Sequence, residues 1–427
     1  MRLILLDLDV PSRRNFYPIA LSRPIFDMRI GMGSLGEKLI ARIAPTDVAC
    51  FVPDYMADVV RERTGGTVND PGSLAGDDLV LVDGRIKAHE FSPPSEGGSS
   101  VAVDDDGNLV CARIAKDDLA KLDTGSIEAL CASAARQLEK VDAPARWQYV
   151  WDLVLENPEQ IAMDFKAAGR SGIEGTVEEP NAIRGSRDDV FIARGAEVHP
   201  MVVLDASEGP IYLDEDVEVQ PFTRIEGPCY VGKKSMLLAA KCREGMSIGP
   251  VCRVGGEVEE SLIHGYSNKY HDGFLGHAYV GEWVNLGAMT TNSDLKNDYG
   301  PVAVSLDGGK PIDTGSTKVG SMIGDHVKTS IGVLLNTGAY VGGMSLIVAH
   351  GKPLPKYIPE FSWMIDGIVT KGFGRKKLYE TAKAAMPRRK KAWTDTEQAM
   401  WEAIFEMTAP QRNPMIDRGK RQMLRGT

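Results

Sequence analysis

Two Gly-rich polar stretches hold the residue types best suited to chemistry. The first, GYSNKYHDGFLG at 265–276, contains His271 with Asn268 and Lys269 just before it. The second, NSDLKNDYGPVAVSLDGGKPIDTGSTK at 292–318, opens on Asn292, and Asn285 stands shortly ahead of it. Histidine titrates near neutral pH, so His271 suits removal of a proton from an ammonium group, the step that makes an amine nucleophilic. A loop histidine satisfied by a backbone carbonyl is the plainer alternative. An asparagine amide offers both donor and acceptor to hydroxyls, though in stacked parallel strands it also forms ladders and corner turns. Lys269 suits a phosphate or open water. Lys371, Arg375, Lys376, Arg388, Arg389, Lys390 and Lys391 follow, a run fit for phosphates or for a solvated helical face.

The N-terminal region offers a second set. Asp83 ends the strand-like run LVLVD and Asp7 the run LILLD, and carboxylates so placed suit a divalent metal ion such as Mg2+ that neutralises a leaving pyrophosphate. Arg13, Arg14 and Arg23 in VPSRRNFYPIALSRP are candidates for phosphate. No glycine-rich loop follows the first strand, so strand-end carboxylates and surface arginines remain the simpler account.

Elements must hold these residues. A chain of 427 residues exceeds the size at which one core keeps growing, so two or three domains are expected. Residues 1–178 alternate apolar runs (LILLDLDV, VACFVPD, DLVLVDGR) with helix-like stretches (SIEALCASAARQLEKV, WDLVLENPEQIAMDF), the pattern of an α/β domain. Around 170–190 the text becomes Gly-rich and charged, a linker. Over 185–352 aliphatic residues recur in steps of six, as at Ile192 and Val198, Ile211 and Val217, and Val280 and Leu286. A six-residue period suits a triangular coil of three short parallel strands, a left-handed parallel β-helix with one stacked apolar column. The two polar stretches interrupt the hexads and are expected to leave the coil as excursions. Residues 353–427 read as a helical extension packed beside or capping the coils.

Composition sets limits. Hydrophobic residues at 43% and charged residues at 25% match soluble globular chains, and no apolar run approaches the roughly 20 residues of a membrane span. A net charge of -10 argues against nucleic acid as a partner. Six cysteines without CxxC pairing, and an N-terminal apolar run broken by Asp7 and Asp9, suit a reducing cytoplasm.

The string GYSNKYHDGFLGHAYVGEWVNLGAMTTNSDLKN, with RNFYPIALSRPIFDMRIG, WDLVLENPEQIAMDF, IGPVCRVGGEV and FSWMIDG, resembles the bifunctional glucosamine-1-phosphate acetyltransferase / N-acetylglucosamine-1-phosphate uridyltransferase family, in a divergent branch with an unusual N-terminal domain. The resemblance implies a sugar nucleotidyltransferase-like α/β domain, a β-helix acyltransferase domain, and a homotrimer with acetyl-CoA between subunits. It implies His271 as catalytic base and Asn292, with Asn285, Arg253 and Lys269, on the acceptor sugar phosphate. Acetyl-CoA would meet Arg388 and Arg389, with backbone amides near Ala288 and Ser330 facing its thioester oxygen. A nucleoside triphosphate, UTP or dTTP, would meet Arg13, Arg14 and Arg23, with Mg2+ on Asp83 or Asp7. One departure stands out: where better-known members carry a Lys pair before the catalytic histidine, this chain has Glu259 and Glu260. A phosphate would then meet Arg253 or Arg243.

Two competing readings follow from the same residues. The β-helix can serve as a trimer-forming scaffold beside a domain that only transfers nucleotides. Alternatively, His264, His271, His277, His326 and His350 suggest a metal-dependent β-helix enzyme of the γ-carbonic-anhydrase type, although their spacing does not match that site.

Overall fold

The computed structural model describes residues 1–93 and 98–425. The first unit is built on a seven-stranded sheet: β1 (Arg2–Leu6), β2 (Asp47–Phe51), β3 (Thr67–Val68), β4 (Leu79–Asp83), β5 (Ser100–Val103), β6 (Leu109–Ile114) and β7 (Glu139–Lys140). Its order is β3-β2-β1-β4-β6-β5-β7. β1 pairs in parallel with both β2 and β4, and β6 runs antiparallel to β4 and β5. β1 and β4 read as unbroken aliphatic runs because helices cover both faces, and Leu3, Ile4, Leu79, Val80, Leu81 and Val82 are fully buried. Helix Leu35–Ile43 starts at a capping box: Ser34 accepts from the Glu37 N–H, and the Glu37 carboxylate accepts from the Ser34 N–H.

Parallel coils take over at Gly172, whose strand pairs with Val190–Ile192. They form the stack of a left-handed parallel β-helix, as the hexads imply. In the first of its three sheets Ile211 pairs with Cys229, eighteen residues on, or three hexads. One inward column runs Ile192, Leu213, Val231, Ile248, Ile263, Val280, Ile323, Val341, Ile358, every member at most 2% exposed. At roughly 1.5–3 kcal/mol per fully buried aliphatic side chain, such columns hold the prism together. Cys229, Cys242 and Cys252 fill small positions of the same core. The coil strands continue to Trp363–Ile365, so the expected limits at 178, 185 and 352 all fall within the stack.

Only one of the two expected excursions leaves the coil. Residues 265–276 supply the strands Asn268–Lys269 and Phe274–Gly276, which pair with Arg253–Val254 and Glu257–Glu259. The correction is physical: just four residues, 270–273, separate strands whose partners are adjacent, so the chain bulges at a corner rather than departing. The second stretch does leave. Tyr279 pairs with Met322, forty-three residues on, and the intervening hairpin packs Val302, Val304 and Leu306 against Trp147 and Trp151 of the first unit. Past the coils, helices Gly374–Ala385, Asp395–Met407 and Ala409–Arg425 follow, and Leu378, Tyr379, Met400 and Trp401 join Val59, Val60, Phe361 and Trp363 in one cluster. The extension thus clamps the first unit to the coils.

Candidate functional site

The second sheet of the prism aligns the chemistry. Strand alternation sends one residue of each pair inward and the next outward. The inward column runs Val198, Val219, Leu237, Val254, Lys269. On the outer face the register sets Arg253 beside Asn268, Asn268 beside Asn285, and Asn285 beside Lys328. These four residues form one polar ladder. The Asn268 amide donates to Asn285 Oδ1 at 3.2 Å, and Arg389 Nη2 donates to Asn268 Oδ1 at 3.1 Å. Arg388 and Arg389, from the short 3-10 segment Met386–Arg389, close a pocket of about 320 Å3 over Asn268, Asn285 and Lys328, walled by Tyr266 and Trp283. The Lys328 ammonium is held by the carbonyls of Trp283 and His326, and burial pushes its pKa down to about 7.

His271 follows this ladder at the corner bulge. Its main-chain carbonyl accepts from Lys269 Nζ at 2.6 Å, and the next carbonyl, of Asp272, accepts from the Met289 N–H at 2.7 Å. The backbone is pinned while the imidazole is exposed. Of the seven histidines, the others are differently placed. His264 meets Arg23 and Glu282, His277 meets Asp294 and Glu260, and His89 and His199 face glutamates. His326 is buried among Trp283, Trp393 and Trp401, and burial holds it well below the usual histidine range. His350 is exposed beyond the ladder strands. Among the described residues the histidines do not converge on one metal position.

Several expected site residues serve the fold instead. Lys269 points inward, where its ammonium bonds the carbonyls of Gly255 and His271, and burial pushes it down to about 8. Asn292 is 2% exposed; its Nδ2 donates to the Gly276 carbonyl at 2.8 Å and its Oδ1 accepts from the Gly276 N–H at 2.9 Å. Both ends of the amide are thereby engaged, and Lys269 and Asn292 are 3% and 2% exposed, so neither side chain is presented on the outer face of the coil. The Ser330 N–H is spent on the Ile347 carbonyl and cannot serve as an oxyanion donor. Ala288 is half-buried on the corner that also carries Met289.

Glu259 and Glu260 are neutralised rather than set against a phosphate. Glu259 pairs with Arg243 at 2.7 Å and with Lys318 at 3.0 Å, which removes Arg243 from the phosphate candidates. His277 bridges Asp294 at 2.8 Å and Glu260 at 3.2 Å. Burial disfavours its charged form, but hydrogen bonds to Asp294 and Glu260, with their charges, outweigh burial and raise its pKa to about 9. Glu259, His277 and Asp294 have the spacing of metal ligands, yet a protonated imidazole and a doubly ion-paired glutamate make a closed salt network. It ties the excursion to the coil.

In the first unit, the end of β1 beside β4 is the crevice where a parallel sheet takes ligands, and internal ion pairs occupy it. Arg13 is 1% exposed and spans both oxygens of Asp7 at 3.1 Å, while Asp7 also accepts from the Ile25 N–H. Asp83 is chelated by Arg85 and approached by Arg146 at 3.5 Å. Neither carboxylate fits a divalent metal, because its lone pairs already face guanidinium groups. Arg23, also 1% exposed, lies between units: it meets Asp325, Glu282 and His264 of the coils. Of the three arginines expected to hold a nucleotide, Arg14 alone is exposed. A larger cleft of about 540 Å3 lies between the units, but its main charges pair internally, as Arg63 does with Glu397 at 2.9 Å.

Comparison with known proteins agrees with this two-part architecture. Residues 3–171 match the family model described as sugar nucleotidyl transferase. A bifunctional sugar-1-phosphate nucleotidylyltransferase/acetyltransferase of Sulfurisphaera tokodaii is 34% identical over 151 residues, 33% of this chain and 35% of that protein. Over that third of its length the chain is similar to a bifunctional nucleotidylyltransferase/acetyltransferase. Proteins named bifunctional GlmU are similar too: one from Methanococcus maripaludis is 35% identical over 94 residues, 22% of each chain, and one from Thermotoga petrophila 26% over 183 residues, 38% of each. The chain thus spans between about a fifth and two fifths of the length of these curated relatives. Among the described residues no helix is long and apolar enough to cross a membrane.

The ladder was within reach of the sequence. Aligning the hexads CRV, SNK, VNL and VKT puts Arg253, Asn268, Asn285 and Lys328 at one outward position, and the same alignment marks Lys269 as inward.

Proposed function

We propose that the β-helix transfers an acetyl group from acetyl-CoA to the amine of an amino-sugar phosphate, glucosamine 1-phosphate being the reference acceptor, with His271 as general base. The observation that carries this reading is the pinned backbone and exposed imidazole of His271, edge-on to Tyr270, directly after the polar ladder. His271 takes the ammonium proton, the neutral nitrogen attacks the thioester carbonyl, and the coenzyme leaves as its thiol. The named relatives, themselves nucleotidylyltransferase/acetyltransferases, support the same chemistry. Nucleotidyl transfer from UTP or dTTP to a sugar 1-phosphate is proposed for the first unit on its family match, with Arg14 the arginine exposed there.

A homotrimer in the cytoplasm belongs to the proposal. Met201, Phe222, Tyr270, Met289 and Ile331 follow the second-sheet strand on their coils and are 40–72% exposed. An apolar corner of this kind on a regular prism suits burial against further copies of the chain, which would set His271 in a seam between subunits.

The test is release of free thiol from acetyl-CoA with a panel of amino-sugar 1-phosphates. Release with one acceptor, lowered roughly 100- to 10,000-fold in His271→Ala at unchanged melting temperature, is the expected result. No release with any acceptor, or full turnover in His271→Ala, would leave the β-helix as a scaffold.

A further inference from the structure

Two arginines, Arg388 and Arg389, line one pocket, and a third, Arg253, stands beside its Asn268 wall, close enough for its charge to act on Arg389. Arg253 lies at the foot of the outward ladder, and Arg388 and Arg389 descend from the C-terminal extension. Among the described residues none of the three has a carboxylate within 4.0 Å, although most other arginines near the coils are paired, as Arg243 is with Glu259 and Arg63 with Glu397. Arg389 Nε is buried without a hydrogen-bond partner. Burial, and then the charges of Arg253 and Arg388, hold the Arg389 guanidinium below its ordinary range. Gathering like charges and leaving a buried donor without a protein partner both cost free energy. A bound anion reverses both terms at once.

The pocket floor narrows the class of anion. Asn268 and Asn285 are joined to each other and Asn268 to Arg389, which orients the remaining amide and guanidinium N–H groups, Arg389 Nε among them, as the several donors that phosphate oxygens take. Tyr266 and Trp283 stack at 4.6 Å and wall the same side, which suits an ester of an organic molecule over a free ion. The pocket stands on the strand that leads to His271, so its ligand would lie beside the proposed reaction.

Resting on the acetyl-transfer reading, we infer that Arg253, Arg388 and Arg389, with Asn268 and Asn285, form a single binding site for a phosphate ester borne by one of the two acetyl-transfer substrates. The sequence divided these residues between two ligands, Arg253 to the acceptor and Arg388 and Arg389 to the coenzyme; the fold joins them. Two substrates carry this chemistry, the coenzyme through its phosphates and the acceptor through its sugar phosphate.

The experiment measures dissociation constants of the full-length protein by calorimetry for coenzyme A, glucosamine 1-phosphate and inorganic phosphate, in wild type, Arg253→Gln, Arg388→Gln and Arg389→Gln. At least two of the variants should weaken one organic ligand roughly ten- to a hundredfold, with inorganic phosphate competing for the same site in wild type. Loss for coenzyme A identifies the coenzyme as the source, and loss for glucosamine 1-phosphate identifies the acceptor. Unchanged affinity for both ligands in all three variants, or no competition by phosphate, overturns the inference. Arg388 is exposed, so Arg388→Gln reports on binding even where Arg253→Gln or Arg389→Gln unfolds. Thiol release separates the two readings. Turnover in wild type with unaltered binding in the variants sinks the anion site alone, whereas arginine-dependent binding without turnover sinks acetyl transfer alone.

Discussion

Lys269 donates from its buried ammonium to the main-chain carbonyl of His271 at 2.6 Å and to that of Gly255 at 2.8 Å. A lysine inside an otherwise apolar column is costly, and burial pushes its pKa down to about 8. What the lysine contributes is a fixed corner. Replacing it by Met keeps the volume but leaves two carbonyls unmet, at roughly 1–3 kcal/mol each. Lys269→Met should lower turnover of the proposed reaction more than tenfold while the KM for the acceptor stays within twofold, because the side chain does not face the ladder. Steady-state kinetics beside a urea melt checks this. A raised acceptor KM at unchanged kcat would return Lys269 to a binding role.

The fold was legible in the sequence to the extent that it is repetitive. Ile192, Val198, Ile211 and Val217 repeat at six, and they are the residues that stack in the prism. The bulge at 270–273 was not legible, because a Gly-rich polar string reads alike whether it leaves a coil or turns its corner. Asn292 and Lys269 were misread for a related reason. A polar residue at an inward hexad position looks like a ligand-binding residue until its partners are seen, here the backbone of Gly276, Gly255 and His271. Arg13 and Arg23 were misread because an internal ion pair leaves no mark in the sequence: Arg13 closes on Asp7, six residues before it, and Arg23 on Asp325, more than three hundred residues away.

The contact between Arg23 and Asp325 predicts how the two units hold together. Both side chains are at most 3% exposed, and Asp325 also accepts from the Ser22 hydroxyl at 2.7 Å and the Glu282 N–H at 2.7 Å. Removing one partner deprives a buried charge of its nearest counter-ion, at up to roughly 3–5 kcal/mol, Arg23 keeping Glu282 at 3.6 Å and Asp27 at 3.4 Å. Arg23→Met and Asp325→Asn should each destabilise by about that much in chemical denaturation, and the double variant by clearly less than their sum. Additive losses would mean that the two residues act independently.

His277 predicts a pH dependence. Its pKa in the folded state is raised to about 9 against 6.5 for an ordinary histidine, so the stabilisation it gives is fully present below pH 6.5 and is lost as pH rises through 9. At 1.36 kcal/mol per pKa unit the loss is about 3 kcal/mol. The groups that face it are Glu260, Asp294 and, across Glu259, Lys318. Lys269 and Lys328, with pKa values pushed down to about 8 and 7, act in the opposite sense: the unfolded chain binds more protons, so their penalty fades toward pH 10.5. The histidine is therefore seen in the difference between wild type and His277→Gln, which should shrink between pH 6.5 and 9. A difference independent of pH would show that His277 is not the charged partner of the two carboxylates.

Asn292 separates a structural amide from a sugar-binding one. Its two hydrogen bonds to Gly276 close the N–H and the carbonyl of a residue inside the third sheet of the prism. Asn292→Ala leaves both groups unmet at a position 2% exposed. The expected loss is about 2–4 kcal/mol of stability, with binding of glucosamine 1-phosphate unchanged at temperatures where the variant is folded. Asn292→Asp keeps the acceptor and replaces the donor by a second oxygen facing the Gly276 carbonyl, so it should destabilise at least as much at neutral pH and partly recover in acid, where the protonated carboxyl donates again. An amide that held the sugar would give the reverse result: a melting temperature close to wild type in both variants, and weakened sugar-phosphate binding in both.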